Sequence, residues 1–148
     1  MVKDRSITEY LDLVQKILLD FQFIELGLKL YIAETYLIIA TKVKGVVPFK
    51  YGWKDVENEP LGKLLDRFVK INADHDLVKK LRPLQKERNK LVHQAYIITF
   101  EEQSDKEYIK NEYTRLSDLK TRTKPLVMRT LQVYGEVQEV KRKIIEQR

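Results

Sequence analysis

The segment Arg88-Asn89-Lys90-Leu91-Val92-His93 places a guanidinium, a carboxamide and an imidazole within two helical turns. A guanidinium can hold a phosphate through paired hydrogen bonds. An imidazole can take or give a proton near neutral pH, and a carboxamide can orient either partner. On a helix, Asn89 and His93 share a face, with Tyr96 three residues further on. Arg88 and His93 are about 140° apart around a straight helix, so they share no face. They meet only if the long arginine leans into a common groove, at a helix pair or a subunit boundary. Arg88 is conspicuous for a second reason. The stripe Leu77, Leu81, Leu84, Leu91 and Ala95 leaves position 88 in an apolar series. A guanidinium there needs an anion, a carbonyl or water, because burying it alone is costly. An acid of the first helix, Glu25 or Glu34, is the competing partner, with His93 then an ordinary groove histidine.

Lys90 and Tyr96 flank these groups and are candidate substrate contacts. So are Lys141, Arg142 and Lys143 near the C-terminal end, which suit a phosphate backbone. The same three residues equally suit a solvated helix end, where cations are favoured. His75 lies in Asn72-Ala73-Asp74-His75-Asp76. With two histidines and no cysteine in the chain, that run reads as a turn and helix cap rather than a zinc site. Glu101 and Glu102 have nothing apolar beside them to raise a carboxyl pKa. No Gly-rich phosphate loop is present. The sequence therefore calls for no metal and no cofactor.

The elements that must position these groups are helices. Five glycines and four prolines leave little material for turns, and period-2 alternation is nearly absent. A first helix is expected over 6–44. Its stripe is Tyr10, Val14, Ile17, Phe21, Ile24, Leu28, Tyr31, Thr35 and Ile38, widened by Leu11, Leu18 and Leu37. Ser6 and Glu9 form a capping-box pattern at its start. Gly27 inside it marks a close helix contact or a slight bend, and Gly45 ends it. Residues 45–60 form a loop. Its Phe49, Tyr51 and Trp53 read as packing cover rather than as a base-stacking platform. A second helix starts near Pro60. The third covers 76–100, with a true start nearer Arg82 if Pro83 breaks it. A polar turn over 101–105 leads to a last helix over 106–147, which Pro125 should kink or split. The expectation is a single all-α domain over 1–148, an up-and-down bundle of four to five helices.

Composition narrows the class further. The absence of cysteine removes disulfides and thiolate metal sites and fits a reducing compartment. The charged start is unlike a signal peptide. The most apolar stretch, 26–43, is interrupted by Lys29, Glu34 and Lys42, so no membrane span is expected. Together these point to the cytoplasm. The net charge of +6 is uneven, with 11 basic and 6 acidic residues over 106–148 against 17 and 16 over 1–105. A positive field at one end can attract RNA, DNA or an acidic protein.

Arg88-Asn89-Lys90-Leu91-Val92-His93 resembles the R-N-x-x-x-H form of the R-x(4–6)-H motif of HEPN domains. The surroundings are similar as well: a helix starting at Leu61-Gly62-Lys63-Leu64-Leu65, a turn, the motif helix and a long last helix. The resemblance covers roughly residues 7–145. It implies a HEPN-like bundle and a metal-independent endoribonuclease acting as a homodimer, with the motif helices of two copies facing each other. It further implies that Arg88 binds the scissile phosphate of an RNA substrate, that His93 acts on the ribose 2'-hydroxyl or the leaving oxygen, and that Asn89 orients the groove. The products would be a 2',3'-cyclic phosphate and a free 5'-hydroxyl. Many such proteins are toxins or antiviral effectors, and a small nucleotidyltransferase is the usual antitoxin partner. Other members are non-catalytic nucleotide-binding or protein-interaction modules.

Overall fold

The computed structural model describes the backbone of residues 2–100 and 106–147 and the side chains of residues 7–93 and 107–147. The expected polar turn over 101–105 lies outside the described residues. The described residues contain no strand and form an all-α bundle of four helices. These are α1 (Val2–Lys42), α2 (Leu61–Ile71), α3 (His75–Phe100) and α4 (Lys106–Glu146), with one 3₁₀ turn at Trp53–Asp55.

Helix α1 begins earlier than a Ser6 cap requires and ends before Gly45, whose φ of 81° reverses the chain. Its expected core stripe is buried from Tyr10 through Tyr31. Neither interior proline breaks its helix. Pro125 leaves α4 continuous over 41 residues, so there are four helices and not five. Pro83 lies within α3, which starts at His75 and not near Arg82. Both prolines are exposed, so the carbonyl each one frees can be hydrated. Flanking side chains hold both halves in place: Leu81 and Leu84 in α3, Thr123 and Leu126 in α4, all buried. The start of α3 is fixed by Asp74, whose Oδ1 accepts the Leu77 N–H at 3.1 Å. Burial alone would raise the Asp74 carboxyl. The Leu77 N–H and the Arg129 guanidinium outweigh it and hold the group below the usual carboxylate range.

Contacts fix the helix directions. Asp20 meets Lys120 and Thr123, Gly27 meets Thr130, and Glu34 meets Lys141. The pairs advance together, so α1 and α4 run parallel. Asp74 meets Arg129 and Glu87 meets Arg115, so α3 runs against α4 and therefore against α1. The three long helices thus alternate in direction, and the short α2 braces α1 and α3. Phe68 of α2 packs on Tyr31 with ring centroids 5.0 Å apart. The loop folds back along α1, stacking Phe49 and Tyr51 on Tyr36.

At Gly27, α1 and α4 lie in close contact. A Cβ there would sit 2.7 Å from Thr130 Cγ2, and Thr130 is buried. Gly27→Ala is expected to lower stability by about 1–2 kcal/mol. The steric cost of overpacking exceeds the roughly 1 kcal/mol that alanine gains in helix propensity. Urea unfolding followed by circular dichroism measures this, and an unchanged or higher midpoint would contradict the close contact.

Candidate functional site

Arg88 sits on α3 between Leu84 and Leu91, which are 2% and 1% exposed. Its backbone is in the core stripe, as the spacing predicts, but its side chain is not in the core. It leans to the bundle edge and pairs with Glu25 of α1, Nε to Oε1 at 2.8 Å. The arginine side chain is 36% exposed and that of the glutamate 15%. Glu25 Oε1 is buried and has no hydrogen-bond partner, so the contact is charge pairing without a directed hydrogen bond. Of the two acids weighed from sequence, Glu25 is the one used, and Glu34 belongs to Lys141.

Asn89, Lys90 and His93 are all exposed, as is Val92 at 49%. The length of α2 explains this. Arg82, Gln85, Asn89 and His93 follow one another on one side of α3, three and four residues apart. The first two are met by α2: Arg82 by Asp66 at 2.6 Å, and Gln85 by Gly62, next to the first residue of the helix. Beyond Gln85, α2 has no residue left to offer, and the Asn89–His93 side of α3 is open. Arg88 faces α1 and His93 faces outward past α2, so one chain does not bring the two together. The side chain of Tyr96 lies outside the described residues.

The three basic residues near the C-terminal end stand apart from the motif. Lys141 Nζ lies 2.8 Å from Glu34 Oε2. Arg142 pairs with both Glu139 and Glu146. Lys143 is exposed. Glu34 is nine residues along α1 from Glu25, about 13 Å at helical rise. Since α3 runs the other way, His93 lies still further from this cluster. The acidic neighbours also offset two of the three cations that might have met a phosphate backbone.

Other polar groups serve the framework. Asp20 is nearly buried and receives Lys120 Nζ at 2.7 Å and Thr123 Oγ1 at 2.8 Å. Glu87, next to Arg88, is 2.9 Å from Arg115 and ties α3 to α4. Tyr10 is fully buried, and burial, with Glu112 nearby, pushes its hydroxyl up to about 12. His75 is exposed beside the Asp74 cap. Among the described residues, no group of three potential metal ligands occurs, and no helix is long and apolar enough to cross a membrane.

The structure turns Leu37 outward, away from the core stripe that it was expected to widen, and with it a second apolar face that sequence reasoning missed. The outer face of α1, opposite the core, carries Leu19, Phe23, Leu26 and Leu37, each 44–48% exposed. With Leu30 and Ala33 these positions recur at spacings of four and three. That second apolar period was present in the sequence, masked by the stronger core stripe.

No protein-family model, no curated protein and no solved structure matches the chain.

Proposed function

We propose that the chain is a HEPN-like, metal-independent endoribonuclease that works as a homodimer in the cytoplasm. The observation that carries this reading is the state of the motif helix. Arg88 is held at the solvent edge by Glu25, while Asn89 and His93 stand on a stretch of α3 left open by the short α2. A guanidinium has five N–H donors, more than one carboxylate can occupy, so a phosphate can still be received. In the reaction, His93 takes the proton of the ribose 2'-hydroxyl. The 2'-oxygen attacks phosphorus, the bond to the 5'-oxygen breaks, and that oxygen leaves as a 5'-hydroxyl with a proton from water, to which His93 returns the one it took. Arg88 neutralises the charge building on the phosphoryl oxygens. The nucleophile belongs to the substrate, already tethered near phosphorus, so positioning and proton transfer suffice. The 140° between Arg88 and His93 is the reason to invoke a second copy: groups from two chains can line one groove where those of one chain do not. Lys90 and Tyr96 flank the reacting groups. A toxin role with a nucleotidyltransferase-type antitoxin fits such an enzyme.

Incubating the protein with mixed RNA and excess chelator tests the reading. Fragments ending in 2',3'-cyclic phosphate are expected, and substrates with 2'-deoxyribose throughout should stay intact. Cleavage that stops with chelator, or that proceeds equally on DNA, would remove this mechanism.

The Arg88–Glu25 pair also favours a second reading, a non-catalytic nucleotide-binding or protein-interaction module in which the arginine only fastens α3 to α1. That reading expects no cleavage of any RNA.

A further inference from the structure

The outer face of α1 is an apolar stripe that none of the described residues fully covers. Leu19, Phe23, Leu26, Leu30, Ala33 and Leu37 are spaced four, three, four, three and four, the seam pattern of a coiled coil. The order reads the same from either end. About the midpoint between Leu26 and Leu30, Leu26 mirrors Leu30, Phe23 mirrors Ala33, and Leu19 mirrors Leu37. A stripe with that symmetry fits a second copy of itself running the other way, as a two-fold interface requires.

We propose that two copies of this chain pair antiparallel through the outer faces of α1, each inserting Phe23 into a cleft of the other. Three observations select a second copy as the occupant. The first is the mirror order of the stripe. The second is size matching. Opposite Phe23 stands the small Ala33, which lines an open cleft of ≈ 340 Å³ with Leu30, Leu37, Tyr51 and Trp53. A phenyl ring needs on the order of 150 Å³. The third is charge. The same mirror places Asp12, exposed and paired with Lys16 in its own chain, against Lys44 of the second copy, exposed in the turn just past the end of α1. An exposed apolar run of about 27 Å along a helix that already has its core on the opposite side is otherwise a liability in water.

The interface stands on the stripe alone and differs from the motif-helix pairing that the resemblance implies, since here α1 and not α3 forms the seam. Its value to the ribonuclease reading is geometric. A two-fold axis perpendicular to both α1 helices keeps each copy's α3 on the same side of the seam.

Sedimentation velocity over about 1–100 µM, with Trp53 emission recorded on the same samples, tests the pairing. Trp53 is the only tryptophan and is 41% exposed in a single chain. A concentration-dependent dimer whose emission shifts to the blue as it forms is expected. Phe23→Lys should weaken it at least about 30-fold with helix content unchanged. Asp12→Lys should weaken it less, and Lys44→Asp added to it should restore it. A monomer at the highest concentration overturns the proposal, as does a dimer indifferent to Phe23→Lys. A charge swap without rescue overturns the antiparallel register. A failed nuclease assay leaves the interface standing, and a monomer that cleaves RNA removes both the interface and the two-chain groove.

Discussion

His93→Ala is expected to reduce RNA cleavage by at least about 100-fold while leaving the fold unchanged. The size follows from the step the imidazole performs, since removing a positioned proton acceptor typically costs between about 10² and 10⁴ in rate. The selectivity follows from where the residue sits. His93 is exposed on the open side of α3, two turns past the last residue that α2 covers, so its loss leaves no hole in the core. Melting temperature and far-ultraviolet circular dichroism should match the parent. The measurement is the initial rate on a pool of RNAs with chelator present, for parent and variant side by side. Equal rates for the two proteins would take the imidazole out of the mechanism. No cleavage by either, across a pool broad enough to include structured and single-stranded RNAs, would move the assignment to the non-catalytic module.

Much of the framework was legible because helical period is a strong signal in a chain so poor in glycine and proline. Tyr10, Val14, Ile17, Phe21, Ile24 and Leu28 spell the inner face of α1, and each is buried. Prolines were read too strictly. Pro83 and Pro125 end helices by local rule, yet both lie on solvent faces of helices whose neighbouring side chains are buried, and packing decides. The parallel run of α1 and α4 was not legible, because direction depends on how many elements intervene and how long each is. The candidate site was half legible. Spacing located Arg88 in the core stripe and left Glu25 and Glu34 as equal partners. Only the fold assigns Glu25 to Arg88 and Glu34 to Lys141, since which acid lies opposite depends on the register of α3 and α4 against α1. The open side around His93 was invisible for a related reason. It exists because α2 begins at Leu61, against Gln85, and one more turn at that end would have covered Asn89.

Arg88 separates the two functional readings, because each assigns it a different task. Arg88→Ala should lower stability under both, by about 1–3 kcal/mol. The Glu25 carboxylate, 15% exposed, then loses the cation beside it, a cost between that of an exposed pair, under about 1 kcal/mol, and that of a fully buried one, about 3–5 kcal/mol. The exposure of the arginine, about a third, argues for the lower end of that range. Stability alone therefore decides little, and the informative variants keep the charge or remove its partner. Arg88→Lys preserves a cation within reach of Glu25 and should hold most of the stability. It loses the planar fork that binds a phosphate through two hydrogen bonds, so a catalytic Arg88 predicts a drop in cleavage of about 10–100-fold. Glu25→Gln removes the competing negative charge and leaves the guanidinium in place. If the arginine meets a phosphate, binding of a non-cleavable 2'-deoxy oligonucleotide should tighten in this variant and weaken in Arg88→Ala. If the arginine only joins α3 to α1, neither substitution should change oligonucleotide affinity, and a double-mutant cycle on unfolding free energy should account for the whole of its effect. The ion pair is thus compatible with catalysis only if it is a resting contact that a phosphate can share, and the opposite affinity shifts of Glu25→Gln and Arg88→Ala are the signature of that sharing.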